Sequence, residues 1–170
     1  MAVLKFLIYK FLKLYLFSRK FIKNIFFNSK SKTIINFQHH GFVMFGLQNQ
    51  RNSMKLYYGL YEQEELKFFS NKIKSTDVCI DAGAGTGAYS LLFSKGKKVY
   101  SFEPKNLDSK LLELNIAYNQ ICNTEVHRLL LSDKNEEIDF IECEGSGLSA
   151  IAANNKEKHI QYLKNQFNIN

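Results

Sequence analysis

The 170-residue sequence has only three cysteines, Cys79, Cys122 and Cys143, with no C-x-x-C spacing among them. This argues against a disulfide framework or a zinc site and fits a reducing cytosol, so no metal is expected. Proline occurs once, and no internal repeat or low-complexity linker divides the chain. The first 32 residues contain no acid. Up to Lys23 no gap between charges exceeds five residues, far short of the roughly 18 apolar residues that a spanning helix needs. The same stretch lacks the uninterrupted apolar core and small-residue cleavage site of a secretory signal. No recognisable nucleic-acid-binding motif is present, and nucleic acid is not the expected partner.

What that stretch does contain is basic charge. Lys5, Lys10, Lys13, Arg19, Lys20, Lys23, Lys30 and Lys32 are eight of the 23 basic residues. Setting them aside leaves 15 bases against 16 acids, so the basicity is local rather than a property of the whole chain. At 100° per residue Lys5, Lys13, Arg19, Lys20 and Lys23 share one side of a helix. Leu4, Leu7, Phe11, Leu14, Ile22 and Ile25 share the other. A basic amphipathic helix over residues 1–32 follows, with a membrane surface as the expected partner of residues 1–28. Packing of the apolar side on the domain or on a second subunit is the structural alternative.

The most informative segment is DVCIDAGAGTGAYS at 77–90. A short apolar run ends in Asp81, three glycines follow at alternate positions, and a helix-like segment comes next. Gly83, Gly85 and Gly87 allow a tight turn and a close backbone approach to a ligand. Gly83-x-Gly85-x-x-Ala88 fits the dinucleotide pattern, with Glu103 placed 20 residues on for a ribose hydroxyl. Gly83-x-Gly85-x-Gly87 equally fits the loop that holds S-adenosylmethionine (SAM). Asp81 favours the latter. A carboxylate there opposes a pyrophosphate and suits the ammonium and sulfonium groups of SAM. NAD stays open as the second choice.

The residues Gly59-Leu-Tyr-Glu, DVCIDAGAGTGAYSLLFS, VYSFEP at 99–104, LLELNIAYNQ at 111–120 and LLLSDKNEEIDF at 129–140 resemble the FkbM family of SAM-dependent methyltransferases over about residues 55–150. Glu103-Pro104 and the Leu-Asn-x-x-x-Asn of Leu114 to Asn119 are the most specific parts. The resemblance implies an α/β, Rossmann-like class I methyltransferase fold. It also implies methyl transfer to a hydroxyl of a sugar, glycolipid or secondary metabolite. By that likeness Asp81, Gly83, Ala84, Gly85 and Gly87 hold the methionine part of SAM. Glu103 meets the ribose, and Ser132 and Asp133 lie near the adenine. The general base is not identifiable, and no nucleophile–base pair can be assembled from spacing.

The pattern predicts strands at 77–81, 98–102, 124–131 and 137–142, helices at 87–95 and 106–119, and a last helix-like segment at 155–167. Ile138 to Gly145 imitates the acidic strand-end motif of the family's later half. Only about six residues separate it from the strand ending at Leu131, whereas a parallel crossover needs about a dozen or more. Asp133-Lys-Asn-Glu suits a tight turn, so 124–142 reads as a β-hairpin with Glu142 and Glu144 at its far end. The expected architecture is therefore an incomplete fold: the N-terminal half of the sheet plus a β-hairpin, preceded by the basic helix. A partner chain completing the sheet is a further expectation. Residues 33–75 form a cap, with small strands in 33–58 and an amphipathic helix at 61–73, and 76–170 form the partial SAM-binding domain. The cap's His39-His40 is not read as a metal pair, since adjacent strand side chains point to opposite faces. An inactive methyltransferase-like binding protein and an NAD-binding oxidoreductase half are the alternative functions. The expected location is cytoplasmic, peripheral at a membrane surface.

Overall fold

A computed structural model describes residues 33–134, 137, 140–141 and 150–151. The chain divides into two units, one running through Leu131 and one from Ser132. The basic segment 1–32, the segment 155–167 and the acids Glu142 and Glu144 lie outside the described residues.

The first unit opens with an antiparallel hairpin, β1 (Ile34–His39) and β2 (Phe42–Leu47), in which Ile34 faces Leu47 and His39 faces Phe42. Its turn, His40-Gly41, has positive φ at both residues, the geometry of a tight hairpin. Helix α1 (Arg51–Tyr57) follows where the sequence suggested only short strands. Ser53, Met54 and Leu56 are buried on it, and Gly46 makes the fit possible. A Cβ on Gly46 would lie 2.6 Å from the Ser53 hydroxyl. Helix α2 (Gln63–Lys72) covers most of the expected helix at 61–73.

The centre is a three-stranded parallel sheet of β3 (Val78–Ala82), β4 (Lys98–Phe102) and β5 (Thr124–His127), in that spatial order. Helix α3 (Ala88–Phe93) connects the first pair and α4 (Asn106–Tyr118) the second. This βαβαβ arrangement is Rossmann-like and corresponds to one half of a doubly wound sheet. In register, Asp81 pairs with Ser101 and Phe102 with His127. Among the described residues three small cores hold the layers together. Phe37, Met44, Leu56, Ala88 and Leu91 join the hairpin to α3. Leu66, Leu92, Phe93 and Val99 join α2 and α3 to β4. Ala84, Leu112 and Ile116 seat α4 beneath the glycine loop.

The hairpin expected across 124–142 is not the pairing found among the described residues. Strand β5 ends at His127, because its neighbour β4 ends at Phe102. The Glu103 N–H makes the last ladder bond, to the His127 carbonyl, and Pro104 has no N–H with which to continue. In the second unit β6 (Phe140–Ile141) pairs instead with β7 (Ala150–Ile151), antiparallel.

Candidate functional site

The site is built where β3 and β4 end. The Gly83 and Ala84 N–H groups both donate to the Phe102 carbonyl, at 2.9 and 3.0 Å, which folds the loop back over β4. Gly83, Gly85 and Gly87 all have positive φ, at 79°, 55° and 98°. A Cβ built on Gly83 or Gly85 would meet nothing within 4 Å, so these two positions border open space. Gly87 differs. Its missing side chain admits Leu112 of α4, which a Cβ would approach to 2.6 Å. Two glycines thus border open space, and the third lets the loop sit on the helix beneath it.

Glu103 fixes the other wall. Its carboxylate accepts the Gly85 N–H at 2.8 Å on one oxygen and the Lys105 N–H at 2.9 Å on the other. An ionised carboxylate offers about four acceptor sites, so two remain for hydroxyl donors. Burial raises the Glu103 pKa above the ordinary carboxylate value, opposed by those two N–H bonds.

Asp81 is 8% exposed and lies under the loop. Its Oδ2 accepts the Ser90 hydroxyl at 2.6 Å, and the Ser101 hydroxyl lies 2.8 Å from that of Ser90. The Ser90 backbone N–H also faces the carboxylate. Burial pushes the Asp81 pKa up and Ser90 draws it back. The segment ahead of α2 adds Tyr61 and Glu62. The Tyr61 phenol is pushed up to about 12, first by burial and then by Glu62 and Asp81. Glu62 accepts the Tyr89 hydroxyl at 2.7 Å and has a left-handed φ of 38°.

Of the residues expected at the site, the structure brings together Asp81, Gly83, Ala84, Gly85, Gly87 and Glu103. Ala84 contributes backbone, since its methyl is buried against Leu112 and Ile116. Ser132 and Asp133 belong to the second unit and are exposed. The Ser132 hydroxyl donates to Asp133 at 3.3 Å and accepts the Lys134 N–H at 3.2 Å. Sequence reasoning overlooked Ser90 and Ser101. The available signal was a lone serine within each of the apolar runs Tyr89–Phe93 and Val99–Phe102.

No family model matches the chain, and no curated protein matches its sequence. Among solved structures the chain is similar to Trm5 of Methanocaldococcus jannaschii in complex with adenosine. The identity is 21% and the TM-score 0.47, over 61% of this chain and 31% of that one. It is similar to Trm5b of Pyrococcus abyssi at 22% identity and a TM-score of 0.48, over 62% and 30% of the two chains. An rRNA methylase from Streptococcus thermophilus matches at 20% identity and a TM-score of 0.38, over 39% and 41%. The chain spans about a third of the length of the Trm5 structures it matches. At TM-scores below 0.5 such overlaps assign neither family nor substrate.

Among the described residues no three His, Cys, Asp or Glu side chains gather as a metal site. The adjacent His39 and His40 lie close rather than on opposite faces, with ring centroids 4.8 Å apart, because His40 already belongs to the turn. No helix among the described residues is long and apolar enough to cross a membrane.

Proposed function

We propose that the chain binds SAM in the cradle formed by Asp81, the loop Gly83–Gly87 and Glu103, and that it is a methyltransferase of FkbM type. The observation that carries this reading is the pairing of Gly85 with Glu103 beside the open space at Gly83 and Gly85. That space suits a cofactor's backbone-hugging part, Glu103 suits ribose hydroxyls, and the acid at Asp81 favours a cation over a pyrophosphate. SAM supplies an electrophilic methyl group. An acceptor oxygen would attack its carbon while the carbon–sulfur bond breaks, the electron pair stays on sulfur, and the hydroxyl proton passes to a base. The chain's own part is to hold and orient the reactants and exclude water. The acceptor we propose is a hydroxyl on a sugar, glycolipid or secondary metabolite, with residues 1–28 resting on a membrane surface and a partner chain extending the sheet. Ser132 and Asp133 are proposed to lie near the adenine. The Trm5 and rRNA methylase names point to RNA acceptors for those proteins, and RNA is the competing acceptor to assay here.

Calorimetric titration with S-adenosylhomocysteine tests the reading, with NAD as the control ligand and Gly85→Val as the control protein. Micromolar binding that the valine abolishes supports it, since a β-branched side chain would both fill the cradle and resist φ near 55°. NAD binding in its place would make the chain an oxidoreductase half. A folded chain that binds neither ligand would be the inactive, methyltransferase-like protein.

A further inference from the structure

Asp81 presents a physical problem. The SAM reading needs a negative charge at the end of β3, yet the carboxylate is buried, and burial favours the neutral acid. Among the described residues no cation offsets that burial. The titratable group facing Asp81 from the neighbouring segment is the Tyr61 phenol, which burial and the acids Glu62 and Asp81 keep protonated. Helix α3 and strand β4 instead present hydroxyls, from Ser90 and Ser101.

When Asp81 is ionised, their hydrogen bonds can have only one sense. Ser90 has a single hydroxyl proton, and at 2.6 Å it goes to Asp81, which as a carboxylate can only accept. The 2.8 Å contact between the serines must then be donated by Ser101. Two hydroxyl dipoles therefore line up toward Asp81 in a chain where each bond polarises the next. Both serines are fully buried, between apolar neighbours such as Leu91, Leu92 and Val99. Alanine would fill either position without a polar group to satisfy, so the hydroxyls need a reason.

We propose that Ser101 and Ser90 form a positioning relay that keeps Asp81 ionised and aimed at the cationic end of the cofactor. The proposal rests on the SAM reading for its ligand, but the relay itself can be tested without one. Carbon-13 NMR of the Asp81 carboxyl in the ligand-free full chain follows its titration directly. Ser90→Ala should move the Asp81 midpoint to higher pH, and Ser101→Ala should move it the same way by less. Ser90→Thr, which keeps a hydroxyl, should restore it. A midpoint unchanged in Ser90→Ala, in a variant that still unfolds cooperatively on heating, overturns the relay whatever the ligand proves to be.

Titration with S-adenosylhomocysteine across the same pH range supplies the second readout. Ser90→Ala should bind about tenfold more weakly on the acidic side, the scale of one lost hydrogen bond to a charged group, and converge on the wild type at alkaline pH. Asp81→Asn should be weak at every pH. Uniform weakening by Ser90→Ala would make the serine merely structural. A wild type that binds nothing while the NMR shift is present would remove the SAM reading and leave the relay standing.

Discussion

At the scale of single residues, the fold treats its buried ionisable groups in opposite ways. Asp81 and Glu103 receive donors that favour their charge, whereas the burial of His39 is opposed by a backbone hydrogen bond at Ala88 alone. The residue is 5% exposed, its Nε2 has no hydrogen-bond partner, and its pKa falls to about 4 through burial and the adjacent His40. In the unfolded chain the imidazole titrates near its ordinary 6.5. Above that pH it is neutral in both states and stability is unaffected. As the pH falls from 6.5 toward 4 the unfolded chain takes up a proton that the folded chain refuses, so stability declines, and below about 4 the loss stops growing. The full effect is on the order of 3 kcal/mol. Asp81 and Glu103, both raised, work in the other direction over an acidic range. Urea unfolding of the wild type and His39→Gln at stepped pH separates the two. The variant should lose the acid-side decline and show stability that holds or rises as the pH falls. The same decline in both proteins would mean that His39 is solvated.

At the scale of elements, α4 does for β2 what a neighbouring strand normally does. The Asn115 side chain accepts the Phe45 N–H at 2.6 Å and donates to the Phe45 carbonyl at 3.0 Å. Asn119 makes the matching pair with Val43, at 3.0 and 2.7 Å. The geometry explains the spacing. Four residues of helix advance about 6.0 Å and two residues of strand about 6.8 Å, so Asn-x-x-x-Asn meets every second peptide of an extended edge. Asn115 also donates to the Thr86 carbonyl at 2.8 Å, which ties this clamp to the glycine loop. Asn115→Leu would leave three backbone groups without that partner and should lower stability by at least about 2 kcal/mol. Native-state hydrogen exchange should show the Val43 and Phe45 amides losing protection first, and affinity for S-adenosylhomocysteine should drop with them. Unchanged exchange at those two amides would refute the clamp. The same pair shows what was legible in the sequence. Leu114 to Asn119 stood out as a pattern, but only the packing of α4 on β2 shows what the asparagines hold. Strands β3 and β4 and the loop between Asp81 and Gly87 were readable because apolar runs and glycines record local backbone demands. Helix α1 and the partner of β6 were not. The first depends on Ser53 meeting Gly46, the second on a pairing register, and neither is a local property of the chain.

At the scale of the whole molecule, the described residues cover the first unit's parallel sheet unevenly. Parallel sheets are ordinarily packed on both faces. Here α3 packs on β3 and β4, and α4 packs on β5. Along β3 the alternation is plain. Cys79 and Asp81 turn toward the covered side, while Val78 and Ile80 remain 59% and 63% exposed. Among the described residues strand β3 is also an edge, bonded to β4 alone, and its sequence Val-Cys-Ile-Asp-Ala has no lysine, proline or glycine to discourage pairing with another chain. These features predict self-association through β3 at high concentration. Ile80→Lys should change the unfolding free energy by less than about 0.5 kcal/mol, as exposed substitutions do. Leu92→Ala, on the covered side, should cost about 2–5 kcal/mol. Light scattering should then show the onset of association of Ile80→Lys at a higher concentration than that of the wild type. If Ile80→Lys instead destabilises as strongly as Leu92→Ala, the face of β3 is buried in solution, and the sheet is packed on both sides after all.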